Sequence, residues 1–256
     1  MDPSEKERDD RVRRLQARLP SLSDALLEWI ESTLLAFAKD RTFWRDERST
    51  LVDERFLAAF GDTLRLHHVF SSEPFSKDKF EYAMVRMCQK CGRVATLAPK
   101  GNPGHDATID GVPFSLKTQA NKGIQLTELH ISKFMELGKG KWGTDPDELI
   151  GLREQFLKHM KGYERIIVLL CLCNSEEERR YELVEIPKKL LQRAISGDLE
   201  MMTTSKQLPR PGYCRVRDRA GNLLFELYFD GGTERKLQVR HLAKEECFVH
   251  AAWRFS

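Results

Sequence analysis

The stretch Gly104-HDATIDGVPFSLKTQANK-Gly123 decides the fold. Its Asp110-Gly111 pair stands between two alternating runs. That is a strong short-range hairpin signal, because a two-residue type I′ turn needs positive φ at both central positions. With this pair as the loop, Ile109 faces Val112, Thr108 faces Pro113, Ala107 faces Phe114 and Asp106 faces Ser115. Directly opposed residues share a sheet face. One face is then Ala107, Ile109, Val112, Phe114 and Leu116, entirely apolar. The other carries Asp106, Thr108, Asp110, Pro113, Ser115 and Lys117. Pro113 falls at a non-hydrogen-bonded pair, where its missing N–H does not break the hairpin's ladder.

Upstream of the hairpin the apolar residues recur at helical spacing, and breakers fall between the segments. Residues 22–38 place Leu26, Leu27, Ile30, Leu34 and Phe37 on one stripe behind a Ser23/Asp24 cap signal. Residues 50–60 start at Thr50, with Asp53 three on, and stop at Gly61. Both are expected to be core helices. A further helix from Ser76 carries Phe80, Met84, Met87 and Cys91 on one face and ends before Gly92. Downstream, strands are expected near 94–97, 105–109 and 112–119, then a helix over 126–137. Arg165-IIVLLCLC-Asn174 is a continuous apolar run bounded by polar residues, which suits a central strand buried on both faces. A strand at 181–186, a short helix opened by Pro187, and strands near 213–217, 223–229, 235–241 and 247–255 follow; 138–148 and 198–212 read as loops. The fold class is α/β: a mixed central sheet flanked by helices, with a helical N-terminal part over 1–74 and a core over 75–256 that ends in β structure, together forming one compact domain.

The 256 residues include 42 basic and 39 acidic ones, a formal charge of +3, so no global basicity announces a nucleic-acid partner. No apolar run reaches the roughly 18 residues of a membrane span. The N-terminus, MDPSEKERDDRVRRLQARLP, lacks the apolar stretch of a secretory signal, so the expected compartment is the cytoplasm. Six cysteines are too few for a disulfide scaffold, and Cys88-Gln-Lys-Cys91 sits inside an expected helix with no second ligand pair, which favours structural thiols over a metal site. Charge is informative only locally. Lys206 to Arg219 holds five basic residues against one acidic, and Arg235, Lys236, Arg240, His241 and Lys244 cluster without an acid; each run reads either as a solvated face or as a phosphate contact. In Lys236-Leu-Gln-Val-Arg-His-Leu242, Leu237, Val239 and His241 alternate with Gln238 and Arg240, side chains suited to bidentate contacts with adenine and guanine edges.

In the hairpin register Asp106 is diagonal to Lys117, which puts a carboxylate and an ammonium within about 7–8 Å on one polar face. Such a carboxylate can hold a divalent metal, and such a lysine can position or deprotonate a water beside a phosphate. The competing reading is the solvated face of an amphipathic hairpin. Against it, the hairpin lies between a long helix and the apolar strand, inside an α/β core, where an acid and a lysine need a reason.

At these residues the chain resembles the PD-(D/E)XK nuclease superfamily and, within it, type II restriction endonucleases. The pattern reads here as Asp106, eight residues, then Ser115-Leu116-Lys117. His105 stands where the family often has Pro, and Ser115 where it usually has Asp or Glu, so one metal ligand must come from elsewhere. Two candidates stand open: Glu81, in the expected helix Lys79-Phe-Glu-Tyr-Ala83, and Glu128, eleven residues after Lys117 in the first turn of the expected helix that follows. The resemblance implies Mg²⁺-dependent, sequence-specific hydrolysis of double-stranded DNA by a homodimer. Asp106, Glu81 or Glu128, and the carbonyl of Leu116 would hold the metal; Lys117 would activate water, and Ser115 would be a supporting group. Gln119, Asn121 and Lys122 would contact DNA near the reacting phosphate, and Gln238, Arg240 and His241 would read bases. A nicking or repair endonuclease on the same core, or a DNA-binding module without activity, are the alternatives.

Overall fold

The computed structural model describes residues 3–99, 101–102, 104–120, 124–138 and 142–256. In chain order its helices are α1 (Pro3–Arg18), α2 (Asp24–Ala38), α3 (Glu54–Phe70), α4 (Lys77–Lys90), α5 (Leu149–His159) and α6 (Lys188–Gln192). The strands are β1 (Arg41–Arg45), β2 (Ala95–Leu97), β3 (Ala107–Ile109), β4 (Val112–Gln119), β5 (Glu128–Glu136), β6 (Arg165–Asn174), β7 (Arg179–Ile186), β8 (Asp198–Met201), β9 (Gly212–Arg217), β10 (Leu223–Phe229), β11 (Lys236–Ala243) and β12 (Phe248–Phe255). Among the described residues no helix is long and apolar enough to cross a membrane.

The apolar run of β6 sets the architecture. Because successive strand side chains point to opposite faces, Ile166, Val168 and Leu170 enter one hydrophobic cluster, and Ile167, Leu169 and Cys171 enter another. The strand therefore lies inside a seven-stranded mixed sheet, ordered β1-β12-β7-β6-β4-β3-β2, in which β4 and β6 are parallel. One face is covered by α3 and α4 through Phe56, Phe60, Phe80 and Met84. The other is covered by α5 and by a second, antiparallel sheet, β5-β11-β10-β9-β8, through Phe156, Phe225, Leu227 and Leu237. The hairpin pairs in the expected register, Ile109 with Val112, Thr108 with Pro113 and Ala107 with Phe114. Asp110 and Gly111 take φ of 50° and 80°, as a type I′ turn demands.

The structure corrects the sequence reading at several places. Residues 126–137 hold a strand, β5, not a helix. Leu129 and Ile131 alternate inward, register shifts in the pairing with β11 change the phase, and Phe134 and Met135 are then both buried. Spacing suited to a helix yielded to the need of β11 for a partner. The N-terminal part contains β1, which adds to the edge of the main sheet by pairing Phe43 with Trp253. Helix α3 starts at the Asp53 cap, where Oδ1 accepts the Phe56 N–H at 2.7 Å, and continues past Gly61 to Phe70. At Gly61 a Cβ would run into the Phe43 and Trp253 rings, so this glycine is a close crossing rather than a stop. Asp198–Met201, expected as loop, pairs with β9 as the edge strand β8. Helix α2 is not a core helix: none of its residues is buried, and Leu34 and Leu35 are 65% and 63% exposed. It is held at its C-terminal end, where Arg65 Nη2 donates to the Ala36 carbonyl at 3.0 Å, and nearer its start, where the Trp29 and Phe70 rings lie 4.8 Å apart.

Under the β7–β12 pairing a charged knot ties the sheet to the loop before α3. Glu185 accepts from Arg165 Nε at 2.9 Å and Nη2 at 2.5 Å and pairs with His250 Nε2 at 2.8 Å, while His250 Nδ1 meets Ser49 Oγ at 2.9 Å. Burial raises the Glu185 carboxyl, but its bonds to His250 and Arg165 outweigh that and hold it down at about 2, against an ordinary 4.5. A carboxylate depressed by folding contributes stability above its unfolded value and loses it as pH falls toward the folded one. Glu185→Gln is therefore expected to cost on the order of 2–3 kcal/mol at pH 7. In urea titrations the gap to the parent protein should close between pH 4.5 and about 2. A gap that does not depend on pH would refute this account.

Candidate active site

Helix α4 opens at Ser76, whose Oγ accepts the Lys79 N–H, and buries Phe80, Ala83, Met84 and Met87 against the sheet. That orientation leaves Lys77 and Glu81, four apart and hence on one helical face, at the rim beside Asp106. The Lys77 Nζ lies 2.9 Å from Glu81 Oε1 and 3.0 Å from Asp106 Oδ1. Asp106 stands just before β3, fixed by its own N–H donating to the Phe114 carbonyl at 2.8 Å. Its Oδ2 accepts from the Leu116 N–H at 2.7 Å, from Ser115 Oγ at 3.4 Å and from Lys117 Nζ at 3.4 Å. The diagonal predicted by the hairpin register thus closes to a direct contact.

The two lysines differ in kind. The Lys117 side chain is 9% exposed, and its Nζ lies 5.7 Å from the Phe134 ring of β5, so the second sheet roofs it. Burial lowers its pKa below that of an ordinary lysine, with Asp106 opposing the fall. The Lys77 side chain is 44% exposed. For Asp106 burial works against ionisation, but the Lys117 and Lys77 ammonium groups outweigh it and hold the carboxyl below its usual range. A cleft of about 370 Å³ opens onto this group, lined by Lys77, Glu81, Tyr82, Pro99, His105 and Asp106.

Among the described residues there is no cluster of three or more His, Cys, Asp or Glu side chains arranged to hold a metal. Two carboxylates suffice for Mg²⁺, which keeps several waters and binds through one or two carboxylates. The position between Asp106 and Glu81 already accepts a cation, the Lys77 ammonium, at 2.9–3.0 Å from each. The donor set therefore fits the ion. Ser115, 1% exposed, supplies a hydroxyl and no charge.

The other expected site residues are placed elsewhere. Glu128 is on strand β5, not in a helix, and its Oε2 lies 2.9 Å from His241 Nδ1, in an exposed pair that does not touch Asp106. The Gln119 side chain is buried and its Oε1 accepts the His130 N–H at 2.8 Å, tying β4 to β5. Asn121 and Lys122 lie outside the described residues. Gln238 is buried too, its Oε1 accepting from Arg240 Nε at 2.9 Å, and the Arg240 guanidinium lies 3.6 Å from the Tyr228 ring centroid. The alternation expected for β11 breaks at its end: His241 takes φ of 50° at a register shift, so Leu242 enters the core and His241 faces solvent. Two groups went unnoticed in the sequence. Lys77 was detectable only as an i,i+4 partner of Glu81. Tyr228 was detectable only by its outward phase in β10, where it pairs across to Tyr213 and Gln238.

The family model of SmaI, a type II site-specific deoxyribonuclease, matches residues 15–255. The type II restriction enzyme SmaI of Serratia marcescens is 42% identical to the chain over 250 residues, 97% of each protein. No solved structure matches the chain significantly.

Proposed function

Because the chain belongs to the SmaI family of type II site-specific deoxyribonucleases, we propose that its cleavage is Mg²⁺-dependent and runs on a PD-(D/E)XK-type centre built on Asp106 and Lys117. The observation that carries this reading is the convergence of Lys117, Lys77 and the Leu116 N–H on the Asp106 carboxylate, with Glu81 joined through Lys77. Asp106 and Glu81 would hold the ion, with the carbonyl of Leu116 as the third protein ligand. Mg²⁺ supplies a Lewis acid to the phosphodiester. Lys117, fixed under the second sheet and pushed by burial toward its uncharged form, orients the attacking water and in that form receives its proton at Nζ as the water oxygen bonds to phosphorus and the bond to the leaving oxygen breaks, the leaving oxygen taking a proton from solvent. The same lysine's positive charge serves the phosphate oxygens as charge builds on them. The parts 1–74 and 75–256 act as one unit, supported by the pairing of β1 with β12 and the packing of Phe60 on Trp253.

Supercoiled plasmid incubated with Mg²⁺ tests the reading: discrete linear fragments are expected. Nicked circles would indicate a nicking enzyme, and binding without cleavage an inactive module.

Two strands and one such centre per chain call for a second copy. The surface that suits it is the apolar face of α2, where Leu26, Trp29, Leu34 and Leu35 are each more than half exposed. Paired with the same face of another chain, it would bury apolar side chains that one chain leaves more than half exposed. Sedimentation is expected to show a dimer for the parent protein, and a monomer for a Trp29→Asp, Leu34→Asp double variant with an unchanged circular dichroism spectrum. A dimer in both would put the interface elsewhere.

For base reading, Arg240 is pre-ordered by Gln238 and Tyr228. Arg240→Ala should weaken binding to the cognate site by about 1–3 kcal/mol and leave non-specific binding nearly unchanged. Equal loss on both DNAs would make Arg240 a phosphate contact.

A further inference from the structure

Asp106 carries two lysines, one on each oxygen, and only one of them is built in. Lys117 reaches Oδ2 from a strand interior and is roofed by Phe134. Lys77 reaches Oδ1 from the first turn of α4, half in solvent, and spans to Glu81. Its Nζ thus occupies the point between the two carboxylates that best suits a divalent ion. An ion shared by both oxygens would sit at about 2.0–2.1 Å from each, so the ammonium and the ion exclude one another. A flexible four-carbon stem on an exposed turn can swing clear with no backbone change, whereas the carboxylates, one tied to the Leu116 N–H and one on a packed helix, stay in place.

We propose that Lys77 is a resident cation that keeps the Asp106–Glu81 pair together before metal arrives and leaves when metal binds, so that it sets the affinity of the site. The inference rests on the metal-site reading above. Unlike Lys117, Lys77 is a positioning residue: it acts through the carboxylates, and its release costs the protein an ion pair that each incoming metal ion must replace. Metal binding is accordingly weaker than the two carboxylates alone would give, in proportion to how rarely Lys77 is away from them.

The test uses the full chain without DNA and Mn²⁺ alone as the probe, with free Mn²⁺ read by electron paramagnetic resonance. The parent protein is expected to bind Mn²⁺, Asp106→Asn to lose that binding, and Lys77→Met to bind at least about fivefold more tightly, while Lys77→Arg, which keeps a cation in place, stays close to the parent. The second readout is the lysine itself. Acetylation by acetic anhydride, mapped by mass spectrometry, should be slow at Lys77 in chelator and faster once Mn²⁺ is added, with Lys117 slow in both. Asp106-dependent binding with unchanged affinity in Lys77→Met, or Lys77 reactivity that does not rise with Mn²⁺, overturns the role of Lys77 and leaves the metal site standing. Absence of any Asp106-dependent Mn²⁺ binding in both proteins overturns the metal-site reading and this inference with it.

Discussion

Asp106→Asn is expected to lower Mg²⁺-supported cleavage by at least about 10³-fold, the loss that follows if the proposed metal's several kcal/mol of charge stabilisation is removed. The amide can still accept the Leu116 N–H, so the hairpin and the thermal unfolding profile should survive while the charge does not. The same experiment decides between the two glutamates. Glu81 shares a lysine with Asp106 at 2.9 Å, so Glu81→Gln should cost about 10²-fold or more, since it removes charge from the same ion. Glu128 is paired with His241 on the second sheet, so Glu128→Gln should cleave within about threefold of the parent. Ser115→Ala should keep substantial activity, because the hydroxyl contributes no charge and sits 3.4 Å from Oδ2. Full activity in Glu81→Gln would remove that residue from the site, and inactivity in Ser115→Ala would give the hydroxyl a role that its geometry does not suggest.

Lys117→Ala is expected to lower cleavage to a similar degree, by about 10²–10⁴-fold, the range for removing a positioned proton acceptor in an enzyme. It should leave DNA binding within about threefold. A lysine that serves the reacting phosphate is not a base reader, and its ammonium is enclosed by Phe134 and Asp106 rather than presented to a groove. Folding should also survive: removing a buried lysine relieves its own desolvation, and Asp106 keeps Lys77 as a partner. Single-turnover cleavage in Mg²⁺ and gel shifts in Ca²⁺ separate the two effects. Cleavage at the parent rate would take Lys117 out of the mechanism, whereas a matching loss of DNA binding would make it an affinity contact.

Where the sequence was readable, the reason was local and periodic. A two-residue Asp-Gly turn allows one register, so the faces of β3 and β4 followed from eight or so residues. Five apolar residues in a row from Ile166 to Leu170 have no polar side to show, so β6 had to be buried on both faces. Where it misled, two periods fitted the same residues. Leu126, Leu129 and Phe134 can be placed on a helical stripe, yet Leu129 and Ile131 also alternate, and only the presence of β11 chose between them. The stripe on α2 was real, but an apolar stripe says that a helix wants a partner, not that its own chain provides one. Gly61 looked like a stop because glycine often is; the crossing of α3 over Phe43 and Trp253 makes it a necessity inside the helix.

By itself the sequence determined the hairpin, its register, the shared polar face of Asp106 and Lys117, and the doubly buried central strand, since each depends on neighbours within a turn or a strand. That Glu81 rather than Glu128 lies beside Asp106 with Lys77 between the two, that β5 roofs Lys117, and that Gln119 and Gln238 spend their side chains inside the protein were decided only by the tertiary structure. Those contacts join residues such as Lys77 and Asp106, or Lys117 and Phe134, whose separation along the chain carries no period. The packing of α4 against β2–β4 and of one sheet on the other sets their distance, and burial of the apolar faces chose that packing without regard to the charges it brought together.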